Sequence, residues 1–314
     1  MARLFQRIDL VELLLMAFGA AERPPLRQRI DAPDGRELLV MPAISDRFAG
    51  VKILTITPEN AGTGRPSIQG LFTLFDLATG VPLATIDADA LTGHRTAAVS
   101  AAAASRLARP DAARLTLLGA GHLIPYLAAA HASVRPIGQV RVWARNVERC
   151  RQAVEQVRKR LPGIEIEVAA DLEAAVGWGD IVCSATRATQ PLIHGRWLRA
   201  GMHVDLVGGY RPDMREIDDD GIARCRIFVD TREGALAEAG DLIAPLRDGV
   251  ITPDAILGDL ATLASHAGQR RDGQEITLFK SVGTATADLL AAGAAWETYR
   301  ASARPSAEAA AGRG

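Results

Sequence analysis

From about residue 113 the chain alternates short apolar runs with helical stretches: RLTLLGAG, QVRVWARN, IEIEVAAD, DIVCSAT, GMHVDLVGG and RIFVDT. Near-continuous apolar strands separated by helices predict a parallel sheet covered on both faces. The expected fold class is therefore α/β, with a Rossmann-type doubly wound parallel sheet over residues 113–283. The first hundred residues have another rhythm. After an amphipathic helix around 8–22 come RELLVMPAIS and GVKILTITPEN, then GLFTLFDLATGVPLATID, two β-type runs joined by Ala-Thr-Gly that predict a hairpin. Residues 1–112 thus read as an α+β domain with a mostly antiparallel sheet. Residues 88–108 predict a helix so rich in alanine that its neighbours must pack very closely. The last helical segment, SVGTATADLLAAGAAWETYRA, follows the end of the alternation. A helix over 284–303 is expected to complete the first domain, and the small, polar residues 304–314 are expected to form a flexible tail.

A chain of 314 residues with 48% hydrophobic positions is long enough for two ordinary domains. Its formal net charge of −1 creates no long-range field that would gather nucleic acid or an anionic membrane surface. An acidic ligand must be held by local cations. Cys150, Cys183 and Cys225 are far apart, with no CxxC pair and no histidine at metal-ligand spacing, which argues against a disulfide framework and a structural zinc site and fits a reducing cytoplasm. The apolar run LVELLLMAFGAAE is interrupted by Glu12 and is too short to span a bilayer.

The stretch RLTLLGAGHLIPYLAAAHA turns from strand to helix through Gly119 and Gly121. A tight turn is one use for such glycines. The other is to bring backbone close to a ligand: Gly119 makes the turn, Gly121 lets a dinucleotide's pyrophosphate approach, and a helix from His122 offers unpaired N–H groups and a positive dipole end. Ile124 replaces the third glycine of the usual G-x-G-x-x-G/A pattern, which asks for a slightly wider helix–strand contact. The second strand ends in VWARN, where NAD-binding versions carry an acid for the ribose hydroxyls. Ala144, Arg145 and Asn146 supply no carboxylate. Arg145 either solvates the strand end or pairs with a 2′-phosphate, a charge-assisted contact of about 1.5–3 kcal/mol, so NADPH is expected in preference to NADH.

Three positions in the first domain carry suggestive cations. Lys52 lies within a strand among Val51, Ile53 and Leu54, so it must reach solvent, pair with an acid or face a cleft. Arg95 lies early in the alanine-rich helix, and Arg27 and Arg29 share one face of an extended segment. Together they suit a small carboxylate, which arginine grips in bidentate fashion. His94 adjoins Arg95, which leaves a general-acid role open to it.

The motifs LLVMPAISDRFAGVKILTITPEN, GHRTAAVSAAAASRLARPDAARLTLLGAG, GMHVDLVGGYRPDMREID and FKSVGTATADL, in that order, resemble the ornithine cyclodeaminase/mu-crystallin family over roughly residues 20–290. The resemblance implies a homodimer, with a substrate and dimerisation lobe and a Rossmann lobe, and the nicotinamide in the cleft between them. By motif match it implies that Lys52 is the active-site lysine, Arg95 the arginine of R-T-A-A, and Arg27 the arginine before the M-P-A strand, Arg29 being equally compatible with a one-residue gap. Thr96 matches a position that meets the cofactor's phosphates, and Ser281 one near the nicotinamide.

The resemblance also points to one reaction within the family. Where its cyclodeaminases carry an aspartate, this chain has Tyr210, a phenol with an ordinary pKa of about 10 that is no anion at neutral pH. Asp205 and Asp213 lie nearby, one inside a strand and one after the proline turn. PDMRE and FVDTREGALAEAGDL look instead like the family's cyclic imine reductases. The implied reaction is NADPH-dependent reduction of Δ1-pyrroline-2-carboxylate or Δ1-piperideine-2-carboxylate to L-proline or L-pipecolate. In it Arg27 and Arg95 grip the ring's carboxylate, and Lys52 bonds to it and tunes the local charge. An ornithine cyclodeaminase with bound NAD, and a crystallin-like protein that binds NADPH without turnover, are the alternatives.

Overall fold

In the computed structural model the described residues are 2–19, 24–60, 63–265 and 270–303. They divide into two compact units, one gathering residues 2–13, 24–95 and 285–303, the other residues 14–19 and 96–284. The division in sequence thus falls at Arg95/Thr96, inside the alanine-rich helix. The tail expected over 304–314 lies outside the described residues.

The first helices are α1 (Ala2–Phe5) and α2 (Leu10–Phe18). Then follow β1 (Gln28–Asp31), β2 (Glu37–Ile44), β3 (Phe48–Ile56), β4 (Ile68–Asp76) and β5 (Pro82–Asp87), which pair antiparallel in the order β1-β2-β3-β4-β5. The hairpin read from Ala-Thr-Gly is β4–β5. One face of this sheet is apolar and buried: Leu39, Met41, Leu54, Ile56, Phe72, Leu74 and Ile86 point inward. The helix over Ala285–Ala303 covers β2, β3 and β4. Helix α3 (Ala88–Leu107) is the expected alanine-rich helix.

The second unit begins β6 (Arg114–Leu118), α4 (Ile124–Val134), β7 (Gln139–Trp143), α5 (Val147–Arg160), β8 (Glu165–Val168). It continues α6 (Leu172–Trp178), β9 (Ile181–Ser184), β10 (His203–Leu206), α7 (Asp219–Arg224), β11 (Arg226–Val229). Then come α8 (Arg232–Glu238), α9 (Gly240–Arg247), β12 (Ile256–Gly258), α10 (Leu260–Ser265) and β13 (Thr277–Lys280), before α11 (Ala285–Ala303) returns to the first unit. The strands form one parallel sheet in the order β12-β11-β13-β10-β9-β6-β7-β8. Neighbouring residues of a strand enter different cores: Leu117 and Cys183 pack in one, Leu118 and Val182 in the other. That is the signature of a sheet buried on both faces.

The structure extends the sequence reading at β12 and β13. The β alternation does not end at RIFVDT: the last strand, TLFK, inserts between β10 and β11. Four residues closed by a lysine are too few for periodicity to register. Helix α4 also starts at Ile124, not His122, because His122 and Leu123 are spent in the turn and Pro125 opens the helix.

Candidate active site

Along β3 the inward residues are Gly50, Lys52, Leu54 and Ile56. Strand alternation therefore places an ammonium on the apolar face that α11 covers. The approach is close: a Cβ on Gly50 would meet Leu289 Cδ1 at 3.1 Å. From the first turn of α11, Asp288 reaches both cations, with Lys52 Nζ 2.7 Å from Oδ2 and Arg95 Nε 2.8 Å from Oδ1. Lys52 and Asp288 are fully buried and Arg95 almost so. An ammonium carries three N–H donors and a guanidinium five, so one shared carboxylate leaves donors on both cations for a ligand. Burial and the Arg95 charge, with a smaller push from Arg27, lower the Lys52 ammonium to about 7 against the pull of Asp288.

The choice between Arg27 and Arg29 becomes unequal here. Arg29 pairs with Asp31 at 2.8 Å and lies 3.9 Å from Glu37, whereas the charge of Arg27 acts on Lys52. His94 stacks on Phe5, ring centroids 5.0 Å apart. Asp288 was absent from the sequence-based set. Its signal was available: it is the one charged side chain among residues 285–296.

In the second unit, Gly119 has φ +124°, and a Cβ there would meet the Ala185 carbonyl oxygen at 2.7 Å. Glycine is required at this turn for the backbone's sake. At Gly121 a Cβ would meet nothing within 4 Å among the described residues beyond its chain neighbours, so packing does not explain the second glycine. Thr96 is buried and its Oγ1 has no hydrogen-bond partner among the described residues. Arg145 is exposed just past the end of β7, and Asn146 caps α5 by accepting from the Arg149 N–H at 2.9 Å. Ser281, buried, directly follows β13, and its N–H donates to the Leu206 carbonyl at 3.0 Å. Asp230 holds the next turn by accepting from the N–H groups of Val282 and Gly283 at 2.9 and 2.7 Å.

Two buried polar clusters support the carboxyl ends of these strands, and neither was foreseen. Lys280 pairs with Asp241 at 3.1 Å and donates to the Gly208 carbonyl. Asp241 accepts from the Glu216 N–H at 2.6 Å. The Glu216 carboxylate accepts from the hydroxyls of Ser184 and Thr186 at 2.6 and 2.7 Å. Burial raises the Glu216 pKa, and Lys280 opposes that. This network fixes the Gly208–Gly209 backbone just before Tyr210.

The second cluster is His131, Cys183 and Asp205, all fully buried, with potential ligand atoms within 4.8 Å of one another. His131 Nε2 lies 3.1 Å from Asp205 Oδ2, and the Cys183 thiol donates to the same oxygen at 3.0 Å. The pair ties α4 to the sheet. Burial opposes the Asp205 charge, but hydrogen bonding and charge from His131 bring its pKa below the ordinary value. Burial, with Asp205 beside it, drives the Cys183 thiol well up, so the thiol stays protonated. Asp213 pairs with Arg211 at 3.0 Å. Both acids near Tyr210 therefore already have partners.

A doubly wound parallel sheet, a strained glycine turn at its first crossover and a buried lysine–arginine pair define a nicotinamide-dependent oxidoreductase with a Rossmann-type fold. The chain belongs to the ornithine cyclodeaminase/mu-crystallin family, whose model matches residues 7–303. It is 44% identical to a Δ1-pyrroline-2-carboxylate reductase of Paracoccus denitrificans over 247 residues, covering 77% of each chain. Among solved structures, the Thermococcus litoralis Δ1-pyrroline-2-carboxylate reductase in complex with NADH and L-proline matches with TM-score 0.88 and 33% identity, covering 95% of this chain and 93% of its own. An archaeal alanine dehydrogenase dimer with bound NAD matches with TM-score 0.86 and 26% identity, covering 98% and 94%. No helix of the described residues is long and apolar enough to cross a membrane.

Proposed function

We propose that the protein reduces a cyclic ketimine carboxylate, Δ1-pyrroline-2-carboxylate or Δ1-piperideine-2-carboxylate, to L-proline or L-pipecolate, with NADPH in preference to NADH. The observation that carries this reading is the buried pair Lys52 and Arg95 on a single internal carboxylate, Asp288, with the half-buried Arg27 adding its charge to Lys52. The positive excess suits one small anion, and the relatives named above include reductases of such a substrate. Tyr210 in place of an acid, with Asp205 and Asp213 already paired, weighs against cyclodeamination.

The dinucleotide suits the residues present: a backbone turn only glycine can make, an open second glycine and an orphaned Thr96 hydroxyl. Gly119, Gly121 and the N-terminus of α4 would hold its pyrophosphate, Thr96 a phosphate oxygen, and Arg145 the 2′-phosphate. Asn146 shapes the same edge by capping α5, and Ser281 would sit near the nicotinamide. When bound, the cofactor supplies a hydride for the imine carbon, while the ring nitrogen keeps or gains a proton. The chain's own part is orientation: Arg27 and Arg95 grip the carboxylate, and Lys52 donates to it.

A homodimer belongs to this reading. The outer face of the antiparallel sheet exposes Ile44, Ile53 and Leu71, and Ile53 and Leu71 are cross-strand partners; such a face suits a second copy. Light scattering on a sizing column distinguishes a dimer from a monomer.

The deciding experiment measures NADPH and NADH oxidation side by side with both imines at mildly acidic pH, with L-ornithine and L-alanine as controls. Faster oxidation of NADPH with at least one imine is expected. No oxidation with either imine retires the reading, and ammonia release from L-ornithine without net cofactor change replaces it with cyclodeamination.

A further inference from the structure

We propose that Asp288 is the positioning carboxylate of this site: from α11 it holds Lys52 and Arg95 side by side, so that an ammonium meets the arriving anion. The identity of that anion rests on the function proposed above; the action of Asp288 on Lys52 does not.

The charged groups facing Lys52 come from three segments. Asp288 comes from α11, Arg95 from α3, and Arg27 from the stretch before β1. The cross-strand partners of Lys52 are Met41 on β2 and Phe72 on β4, both apolar. Two guanidinium groups and complete burial therefore favour loss of the proton, and among the described residues Asp288 favours keeping it. The balance leaves Lys52 titrating near pH 7. A second carboxylate brought by a ligand tips it fully to the ammonium. Ligand binding and proton uptake are then linked, because anything that raises a group's pKa on binding draws a proton with it. Asp288 acts through Lys52 and Arg95, and so it sets the pH at which the site is ready.

The test has a readout independent of turnover. Urea unfolding is followed from pH 5 to 9 for the unaltered protein, Asp288→Asn and Asp288→Glu, each with and without Lys52→Met; the difference within each pair isolates the Lys52 titration. The folded pKa of Lys52 lies below its unfolded value, so over the interval between them the unfolded chain binds more protons and stability rises with pH. In the unaltered protein that rise begins near pH 7. In Asp288→Asn it begins about one unit or more lower, and Asp288→Glu restores it. An onset that does not move in Asp288→Asn overturns the proposal, whatever the substrate proves to be. A second measurement needs no Asp288 variant: calorimetry of pyrrole-2-carboxylate binding, at pH 7.5 in buffers of different ionisation enthalpy. Uptake of a substantial fraction of a proton, lost in Lys52→Met, supports the proposal, and binding without uptake overturns it. If that ligand does not bind, the reading of the substrate suffers and the unfolding series still decides the role of Asp288.

Discussion

Lys52 Nζ lies 2.7 Å from Asp288 Oδ2, although the two residues come from opposite ends of the chain and neither exposes any surface. An ammonium is held where a leucine would ordinarily pack, beside a guanidinium that shares the same carboxylate. Such an arrangement is costly to bury and is kept where its charge is used.

Lys52→Ala and Arg95→Ala are each expected to lower kcat/KM for imine reduction at least about tenfold, the equivalent of 1.4 kcal/mol in the transition state. Steady-state NADPH oxidation with Δ1-pyrroline-2-carboxylate checks this. Unchanged rates in both variants would remove the pair from the site.

The two glycines of the first turn separate by experiment. Gly119→Ala forces a side chain into φ +124° and 2.7 Å from the Ala185 carbonyl, and should cost about 1–3 kcal/mol of stability in urea. Gly121→Ala meets nothing within 4 Å among the described residues beyond its chain neighbours, so its stability should change by less than about 1 kcal/mol, while the Kd for NADPH rises. Equal stability losses in the two variants would contradict this division of labour.

Arg145→Ala should weaken NADPH binding about tenfold or more and leave NADH nearly unchanged, since a charge-assisted contact to a 2′-phosphate is worth about 1.5–3 kcal/mol. Fluorescence titrations with the two cofactors give the comparison. Parallel losses for both would place Arg145 away from that phosphate.

Acid stability should depend on His203. Burial, partly opposed by Asp205, brings its pKa from 6.5 down to about 3. Between those values the unfolded chain binds the proton and the folded one does not, so stability falls as pH drops from about 6.5 towards 3. The loss is on the order of 5 kcal/mol across that window. His203→Gln, compared with the unaltered protein by urea unfolding at pH 4 and pH 7, should lose much less stability between the two; an identical loss would show that His203 does not carry the acid limb.

Much of the architecture could be read in the chain. Apolar runs marked β6 through β11, the hairpin of β4 and β5 was written in Ala-Thr-Gly, and the alanine run of α3 announced close packing. The same reading noticed Lys52 because a charge interrupts an apolar strand, and Gly119 because a strand meets a helix there. It passed over β13, four residues ending in Lys280, and therefore also the Lys280–Asp241–Glu216 network that this strand anchors. His131, Cys183 and Asp205 lie on separate segments, so their grouping left no trace in spacing.

The sequence by itself determined where strands and helices alternate, since apolar runs and helical period are local consequences of backbone geometry, and it marked the cations and the glycine turn as departures from that pattern. Only the tertiary structure decided which acid answers each cation. Asp288 reaches Lys52 and Arg95 because the chain's last helix returns to cover β3, and Arg27 acts on Lys52 while Arg29 turns to Asp31. Counter-charges in a low-dielectric interior are set by distances of a few ångströms across segments remote in sequence, and no period along the chain encodes them.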